Sequence, residues 1–380
     1  MGGASLVVAC GSMSSNAGTY GYYDGGSGAD TGSLYDGTTG ADGASDGGPE
    51  VGAGRPTTAL FVQGSPSLPD VRLCWGTSTS VAQVVPFPGD GVMPGSNYPG
   101  VPLGGVVSMG DASALVGEFQ LYAIDAENLA RIEQNQATTY TCDELVCQGS
   151  SAPPCLRNNF DYWPVTTSAA GLTSGVTNVV ALSGCLASAL DPSATPTLCG
   201  ASWNATAGNL NAQLLQLEAT VPVEGGLSVQ AAQLSPGLAA LVGDGGAAIV
   251  SFGTQGEADA STVATLQGEG TVTAPSAVSV GTDLPVYGQL GFAVDVPGFD
   301  GGAGHLWMSL ADSQQLVDPT QDPTVFFGQP RTYLLAVLGD PGAPHAFATG
   351  GDAGYDGKGL HVLVVAAPAG TTGSGDAGDE

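Results

Sequence analysis

Residues 58–75 read TALFVQGSPSLPDVRLCW, and they mark the point where a low-complexity N-terminal segment gives way to a folded body. The stretch contains two apolar runs, residues 58–63 and 71–75, separated by a turn that contains Ser-Pro. Short apolar runs bounded by Gly, Pro and Asp are typical of β-strands. We therefore expect a strand, a tight turn and a second strand at the start of the body.

The same pattern returns about 170 residues later. Residues 62–68, VQGSPSL, align with residues 232–238, AQLSPGL, and each segment is followed by a run ending in an aromatic residue and a glycine, at 71–76 and 248–253. Three further segments correspond in the same order: residues 119–125 with 305–310, residues 179–184 with 334–339, and residues 212–217 with 360–365. Self-similarity at a long period indicates a repeated unit. We predict two copies that meet near residues 222–226.

The composition favours an all-β protein. Glycine (61) and proline (25) are abundant and charged residues make up only 11% of the chain, which suits many short strands joined by turns. A chain of 380 residues also exceeds the usual size of one domain. We therefore predict two tandem β-sandwich lobes of immunoglobulin-like type, over residues 58–222 and 223–368.

Several segments carry specific expectations. Residues 119–122 alternate between apolar and polar, which predicts a strand with one buried face. Residues 334–338 and 362–366 are continuously apolar, which predicts central strands covered on both faces. Helix is expected at residues 125–132, where an Asp precedes spaced apolar residues, and residues 312–316 are its expected counterpart.

The charge balance excludes several kinds of partner. The chain has 35 Asp and Glu against five arginines and one lysine, a formal net charge of −29. A phosphate backbone would be repelled, so we expect no nucleic-acid partner, and adsorption of the protein surface to anionic lipid is disfavoured. Divalent cations, cationic partners and neutral glycans stay open as ligands. We interpret the charge mainly as a cause of solubility, and we expect a monomer.

The N-terminus resembles the lipobox of bacterial lipoproteins. Residues 6–11, LVVACG, form an apolar run closed by a small residue and Cys10, and Gly, Ser, Asn and Asp follow abruptly. In that family the cysteine carries the lipid and becomes the mature N-terminus. The resemblance implies a signal remnant over residues 1–10, lipidation of Cys10, and a bacterial cell-envelope protein anchored to the outer membrane. We expect the lipid to be its sole contact with the membrane.

Two segments lack the apolar content needed to offset the entropy of ordering them. We predict a disordered Gly/Asp/Ser-rich tether over residues 11–57 and a disordered acidic tail over residues 369–380. Four aspartates in the tether recur at six-residue intervals: Asp24, Asp30, Asp36 and Asp42. Their order matches neither an EF-hand nor a nonapeptide calcium repeat, so we favour a solvated spacer, with calcium binding as the alternative.

Six cysteines lie in the predicted first lobe: Cys74, Cys142, Cys147, Cys155, Cys185 and Cys199. An even number in an exported chain predicts three disulfides, for which about fifteen pairings exist. Zinc binding is the alternative, but the chain has no Cys-x2-Cys pair and its three histidines lie in the second lobe. We prefer the local pair Cys185–Cys199, and we expect the bridges to staple an insertion over residues 138–161.

The start of the body resembles domain of unknown function 4397. Residues 65–71, SPSLPDV, are similar to the Ala-Ser-Pro-Asp-Ala-Pro-Xaa-Val signature of that family, and residues 179–184 are similar to its later Val-rich strand. The resemblance spans most of residues 58–368 and implies β-sandwich repeats of the kind found in exported bacterial proteins. It implies no catalytic residue. Separately, we expect no metal site and no cofactor.

Sequence motifs of catalysis are absent from the chain. There is no Gly-x-Ser-x-Gly elbow, zinc-protease motif, phosphate loop or dinucleotide fingerprint. With three histidines and one lysine, candidates for a general base are few. His305 and His361 lie on predicted strands, where we expect a structural role.

The leading hypothesis is a non-enzymatic lipoprotein of the cell envelope with a structural or ligand-binding role. The alternative is a surface adhesin-like module that binds a glycan or a protein, and a hydrolase is the remote third. Adhesion would use the Pro/Gly-rich loop over residues 86–102 and exposed aromatic side chains. Candidates for that binding face are Phe87, Met93, Tyr98, Trp75 and Trp163, although the loop aromatics could instead pin the loop onto the first sheet.

Overall fold

The structure is a computed structural model. It describes residues 57–76, 85–89, 98–117, 119–147, 154–167, 171–218, 226–242, 247–254, 261–268, 270, 272–280, 287–295, 305–317, 321–328, 331–341 and 359–367. The predicted lipobox with Cys10, the tether as far as residue 56, Met93 and the acidic tail lie outside these ranges. Within the ranges, no helix has the length and apolar character needed to cross a membrane.

The first half of the chain forms one mixed sheet with short helices. Its strands are β1 (Thr58–Gln63), β2 (Val71–Gly76), β3 (Val106–Asp111), β4 (Gln120–Asp125), β5 (Tyr162–Thr167), β6 (Thr177–Ser183) and β7 (Asn211–Leu217). The helices are α1 (Ala126–Gln136), α2 (Cys142–Leu145) and α3 (Pro196–Cys199), with a 3-10 turn at Ser113–Leu115. The strand order is β2-β4-β5-β7-β6-β1-β3, in which β1 runs parallel to β6 and antiparallel to β3.

The second half forms two sheets. Its strands are β8 (Gly226–Gln233), β9 (Ala248–Thr254), β10 (Ser261–Leu266), β11 (Ser276–Ser279), β12 (Leu290–Asp295), β13 (His305–Ser309), β14 (Thr332–Leu338) and β15 (His361–Ala366). The helices are α4 (Pro236–Val242), α5 (Leu310–Val317) and α6 (Pro323–Phe327). The described strands are ordered β10-β9-β12-β13 in one sheet and β11-β8-β14-β15 in the other. The prediction of a β-rich fold is therefore confirmed.

The predicted helices are also found. Helix α1 begins after Asp125, whose carboxylate Oδ1 accepts the N–H of Asn128 at 3.0 Å. Its counterpart α5 begins after Ser309, whose hydroxyl oxygen accepts the N–H of Asp312 at 3.0 Å. Both side chains occupy N-cap positions and satisfy backbone donors that have no partner within the helix.

The largest cluster of buried apolar side chains includes residues from both halves of the chain. Leu60 and Val62 of β1 belong to it, whereas Ala59 and Phe61 belong to a second cluster formed by the first half alone. Side chains alternate between the two faces of a strand, so β1 is buried on both sides, and β6 divides in the same way. The sheet that contains β1 and β6 therefore separates the two cores.

The predictions of strand burial were partly right. Strand β14 is buried at every residue and lies between β8 and β15, as expected. Strand β15 is also buried throughout, but it lies at the end of its sheet in the described ranges, so the central position predicted for it was wrong. Helix α5 packs against β15, which explains burial at an edge.

The expectation for β4 was wrong. Its residues 121–124 are buried on both faces. Leu121 and Ala123 face the core of the first half, whereas Tyr122 and Ile124 face a separate cluster built by α1 and the insertion. An alternating pattern shows which face is apolar, but a later segment of the chain covered the other face as well.

The turn after β1 is fixed by a set of buried hydrogen bonds. The side-chain oxygen Oε1 of Gln63 accepts the N–H of Ser65 at 3.0 Å. The hydroxyl of Ser65 then donates to the carbonyl oxygen of Gly184 at 2.8 Å, just beyond the end of β6. Gly184 has a φ of 75°, a left-handed conformation that favours glycine. The Ser-Pro turn and the end of β6 are thus locked together.

The second half repeats these bonds. The Oε1 atom of Gln233 accepts the N–H of Ser235 at 3.0 Å, and the hydroxyl of Ser235 donates to the carbonyl oxygen of Gly339 at 2.5 Å. Gly339 follows β14, which is parallel to β8, and it has a φ of 93°. The aligned Gln-x-Ser-Pro segments therefore make the same contacts with the aligned glycines.

One of the five sequence correspondences was wrong. Residues 119–125 were matched with 305–310, which equates β4 with β13. In the sheets, β4 lies between β2 and β5, and the strand in the same place is β12, between β9 and β13. The mismatch arose because an apolar strand followed by a helix occurs in both halves, at β4 in the first and at β13 in the second.

We predict that both serine hydroxyls contribute to stability. Ser65→Ala and Ser235→Ala each leave a buried carbonyl without its donor, which should lower the free energy of unfolding by about 1–3 kcal/mol. The loss at Ser235 should be at least as large, because its hydroxyl oxygen also accepts the N–H of Leu238 at 3.1 Å. Ser279→Ala, at an exposed serine of β11, is the control and should change the free energy of unfolding by less than about 0.5 kcal/mol. Urea denaturation measures all three. A large loss at one serine and none at the other would contradict the equivalence of the two turns.

We predict that His361 makes stability depend on pH. The side chain is fully buried, its Nδ1–H donates to the carbonyl oxygen of Gly359 at 2.7 Å, and burial lowers its pKa to about 4. The unfolded chain takes up the proton more readily, so the contribution is fully present above the unfolded pKa and is lost as the pH falls towards 4. The loss should reach about 3 kcal/mol.

The measurement is the free energy of unfolding of the wild type and of His361→Asn between pH 7 and 4. Asparagine keeps an N–H donor for Gly359 but does not titrate. The wild type should lose more stability on acidification than the variant. Parallel profiles would show that His361 is not the cause.

Candidate binding cleft

Three disulfides are present: Cys74–Cys142, Cys147–Cys155 and Cys185–Cys199. The first ties the insertion at residues 138–161 to strand β2, and the second closes a short loop within the insertion. The third is the local pair expected from the sequence. The insertion packs its own apolar side chains, among them Tyr140 and Leu145, against the outer face of β4.

A hydrogen-bonded turn ends the insertion. The side chain of Arg157 donates to both carboxylate oxygens of Asp161, at 2.8 and 3.0 Å, and the N–H of Arg157 donates to the same carboxylate at 2.9 Å. These hydrogen bonds lower the pKa of Asp161 despite its burial. The N–H of Asn159 donates to the carbonyl oxygen of Tyr162 at 2.8 Å, and Asn159 has a φ of 60°. Asparagine tolerates this left-handed conformation better than most residues.

The turn presents an aromatic ring to solvent. Phe160 is 60% exposed, the largest exposed fraction among the bulky apolar side chains of the described residues. The guanidinium carbon of Arg157 lies 5.3 Å from the centre of its ring, so one face of the ring rests on a cation. The second face is open to a partner.

The loop closed by Cys185–Cys199 forms the opposite wall. The side chain of Asn209 accepts the N–H of Cys185 at 2.8 Å and donates to the carbonyl oxygen of Cys199 at 2.8 Å. The indole N–H of Trp203 donates to the carbonyl oxygen of Leu186 at 2.9 Å. The N–H of Leu186 donates in turn to the hydroxyl of Ser67 at 2.6 Å, which attaches the loop to the Ser-Pro turn after β1.

A cleft of about 640 Å³ lies between these two walls. Among the described residues, strands β5 and β7 are paired only at Thr166–Asn211 and Thr167–Ala212, so the chain segments before these pairs are free to diverge. The cleft is lined by Asn159, Trp163, Pro164, Thr166, Leu186, Ala187, Ala189, Leu190, Thr206, Ala207, Gly208, Asn209, Leu210 and Asn211. Its position follows from the short pairing and from the disulfide loop beside it.

The lining is neutral and mixes apolar with polar groups. None of the described lining residues carries a charge at neutral pH. Asn209 and Asn211 use their side chains within the protein, whereas those of Asn159, Thr166 and Thr206 are exposed and make no hydrogen bond to another described residue. The buried indole N–H of Trp163 likewise has no acceptor among the described residues. The cleft therefore offers hydrogen bonds but no group that transfers protons near neutral pH.

The Pro/Gly-rich loop is pinned to the first sheet in its described parts. Phe87 and Leu73 exchange backbone hydrogen bonds of 2.6 and 2.8 Å. Arg72, only 1% exposed, donates to the carbonyl oxygens of Pro86 and Pro88 and lies 3.5 Å from a carboxylate oxygen of Glu133. A buried cation needs such partners. The described part of the loop therefore has a structural role, because it packs on the first sheet and supplies hydrogen-bond acceptors to Arg72.

The aromatic side chains expected to be exposed are mostly covered. Trp163 is only 6% exposed, so its predicted role on an exposed face was wrong. Its side chain lies on the face of β5 that packs into the core of the first half, at the floor of the cleft. Trp75 is half-buried and packs against Phe87, with ring centres 6.0 Å apart. Tyr98 is half-buried.

Sequence reasoning missed Asn159 and Phe160. The signal for them was the polar run 157–161, RNNFD, two residues after the last cysteine of the insertion, which contains one bulky apolar residue. No group of three or more potential metal ligands is found among the described residues.

No model of a known protein family matches the chain, and no curated protein matches it.

Proposed function

We propose that the protein is a non-enzymatic lipoprotein of the bacterial cell envelope that binds a ligand in the cleft beside Trp163. The observation that carries the proposal is the neutral lining, in which Asn159, Thr166 and Thr206 present free hydrogen-bonding groups on a disulfide-braced frame. A concave site with an apolar floor and a few polar groups is the usual form of a ligand site. A backbone that is already held in place loses little conformational entropy when a ligand binds.

The three disulfides support export from the cytosol. Structural disulfides persist in oxidising compartments and are rare where thiols are kept reduced. The lipobox-like segment before residue 11 supplies a signal remnant and Cys10 as the point of lipid attachment. The tether over residues 11–57 would then hold a monomeric body away from the outer membrane, with the lipid as its sole contact.

We further propose that the body consists of two tandem β-sandwich lobes of immunoglobulin-like type, residues 58–222 and 223–368, related to domain of unknown function 4397. The equal hydrogen bonds of Ser65 with Gly184 and of Ser235 with Gly339 support a duplicated unit. The parallel pairing of β1 with β6 and of β8 with β14 supports it too.

The alternative function is a surface adhesin-like module. Phe160 favours it, because a 60% exposed ring held on a rigid turn is suited to a protein or glycan partner outside the cell. A hydrolase is the remote alternative. It would require a nucleophile and a base in one site, and the lining of the cleft supplies threonine hydroxyls without a base beside them among the described residues.

We predict that Cys10 carries the lipid. The full chain, expressed in a bacterium fed radiolabelled palmitate, should take up the label, and Cys10→Ser should abolish uptake because the acylated sulfur is gone. The control is the double variant Cys147→Ser/Cys155→Ser, which removes two other cysteines and should keep the label. Label that persists in Cys10→Ser would refute the anchor.

We predict that the cleft is the preferred site for neutral polar molecules. Simple sugars, alcohols and an N-acetylated, amidated dipeptide are added separately to the protein, and the indole N–H resonances of its tryptophans are followed by NMR. At least one probe should shift the signal of Trp163, assigned with Trp163→Phe, more than that of Trp307. Shifts confined to other tryptophans, or no shift with any probe, would refute the proposed site.

A further inference from the structure

We propose that the ligand of the cleft is a neutral oligosaccharide. The inference rests on the proposed function, since it identifies the class of ligand that the site beside Trp163 takes. A sugar ring has apolar C–H faces and an edge of hydroxyl groups that both donate and accept hydrogen bonds.

Charge separates neutral ligands from charged ones. The described lining residues carry no charge, and Arg157 beside Phe160 is already paired with Asp161, so an anionic sugar would find no unpaired cation at these residues, and the net charge of −29 would repel it. A cationic peptide would be attracted by that charge, but the lining offers no carboxylate to fix its position. A neutral ligand is not repelled by the net charge, and it needs no charged group in the lining to fix its position.

The free polar groups suit hydroxyls. Asn159 supplies an amide that both donates and accepts, and the hydroxyls of Thr166 and Thr206 do the same. Trp163 lies in the lining with its indole N–H buried, so it offers a ligand apolar contact at the floor of the cleft. Leu190 and Leu210 complete an apolar floor for the C–H face of a sugar ring.

The backbone around the cleft is poorly suited to an extended peptide. Peptides that add to a sheet need a free row of N–H and C=O groups. In the described residues, β5 is paired with β4 on one side, and its edge towards β7 is unpaired over residues 162–165 alone, a short stretch in which Pro164 has no N–H. On the opposite wall, the N–H groups of Ser188 and Gly208 already donate to carbonyl oxygens of the loop.

Phe160 is the residue after Asn159, which lines the cleft, and one face of its ring is covered by Arg157. An open aromatic face next to hydrogen-bonding groups suits a second sugar unit, so we expect an oligosaccharide to bind better than a single sugar.

The test measures binding by isothermal titration calorimetry with the folded full chain. The probes are neutral hexasaccharides of glucose, of mannose and of N-acetylglucosamine, a hexagalacturonate as the acidic counter-probe, and an amidated hexaproline as the peptide counter-probe. At least one neutral hexasaccharide should bind and should shift the indole signal of Trp163. The two counter-probes should not bind.

Two variants locate the binding. Asn159→Gly removes the amide but keeps access to the left-handed backbone conformation, and Thr166→Val removes the hydroxyl with little change of shape. Each should weaken binding about tenfold, the equivalent of about 1.4 kcal/mol. The control Thr265→Val makes the same replacement at an exposed strand position of β10, outside the lining, and should leave the affinity unchanged. Circular dichroism verifies that the variants fold.

The outcomes separate the two proposals. Neutral-sugar binding that both cleft variants weaken and the control does not would support the inference. Neutral-sugar binding unaffected by Asn159→Gly and Thr166→Val would overturn the site. Binding of hexaproline or hexagalacturonate alone, with a shift of Trp163, would overturn the ligand class and leave the proposed function standing. Binding of no probe, with no shift of Trp163, would overturn both.

Discussion

The hydrogen bond from the Ser65 hydroxyl to the carbonyl oxygen of Gly184 is the contact on which the first half depends. It joins the turn after β1 to the end of β6. Ser65 is fully buried, so loss of its hydroxyl would lower the free energy of unfolding. The cysteine loop begins at the next residue, and Ser67 of the same turn accepts the N–H of Leu186, which lines the cleft. The turn that starts the folded body therefore also positions one wall of the cleft.

The second half has the equivalent hydrogen bond, from Ser235 to Gly339, but it has no counterpart of the loop closed by Cys185–Cys199. Gly237 stands where the first half has Ser67, and its backbone packs against Thr197 of helix α3 so closely that a Cβ would lie 2.5 Å from a carbonyl oxygen. A serine would not fit there. The two halves thus share the structural bond at Ser65 and Ser235, but only the first turn holds a cysteine loop. At this aligned position, Ser67 attaches the first turn to the cysteine loop beside the cleft, whereas Gly237 lets the second turn pack against helix α3 of the first half.

Local signals in the sequence predicted much of the fold, and long-range contacts account for the errors. The strand runs, the helix after Asp125 and the Cys185–Cys199 bridge depend on residues close in the chain, and all three were predicted. The cleft depends on the short pairing of β5 with β7, about 45 residues apart, which no periodicity reveals. Trp163 was expected on the surface because a tryptophan in a strand gives no indication of which face it occupies.

The lining of the cleft carries no charge, although the chain has a net charge of −29. In the turn that contains Asn159, Arg157 pairs directly with Asp161 and lowers the pKa of that carboxyl. The pairing holds the turn in place and offsets the negative charge beside Asn159. A site whose lining carries no charge favours a ligand recognised by hydrogen bonds and apolar contact, because Coulomb attraction contributes little to its binding.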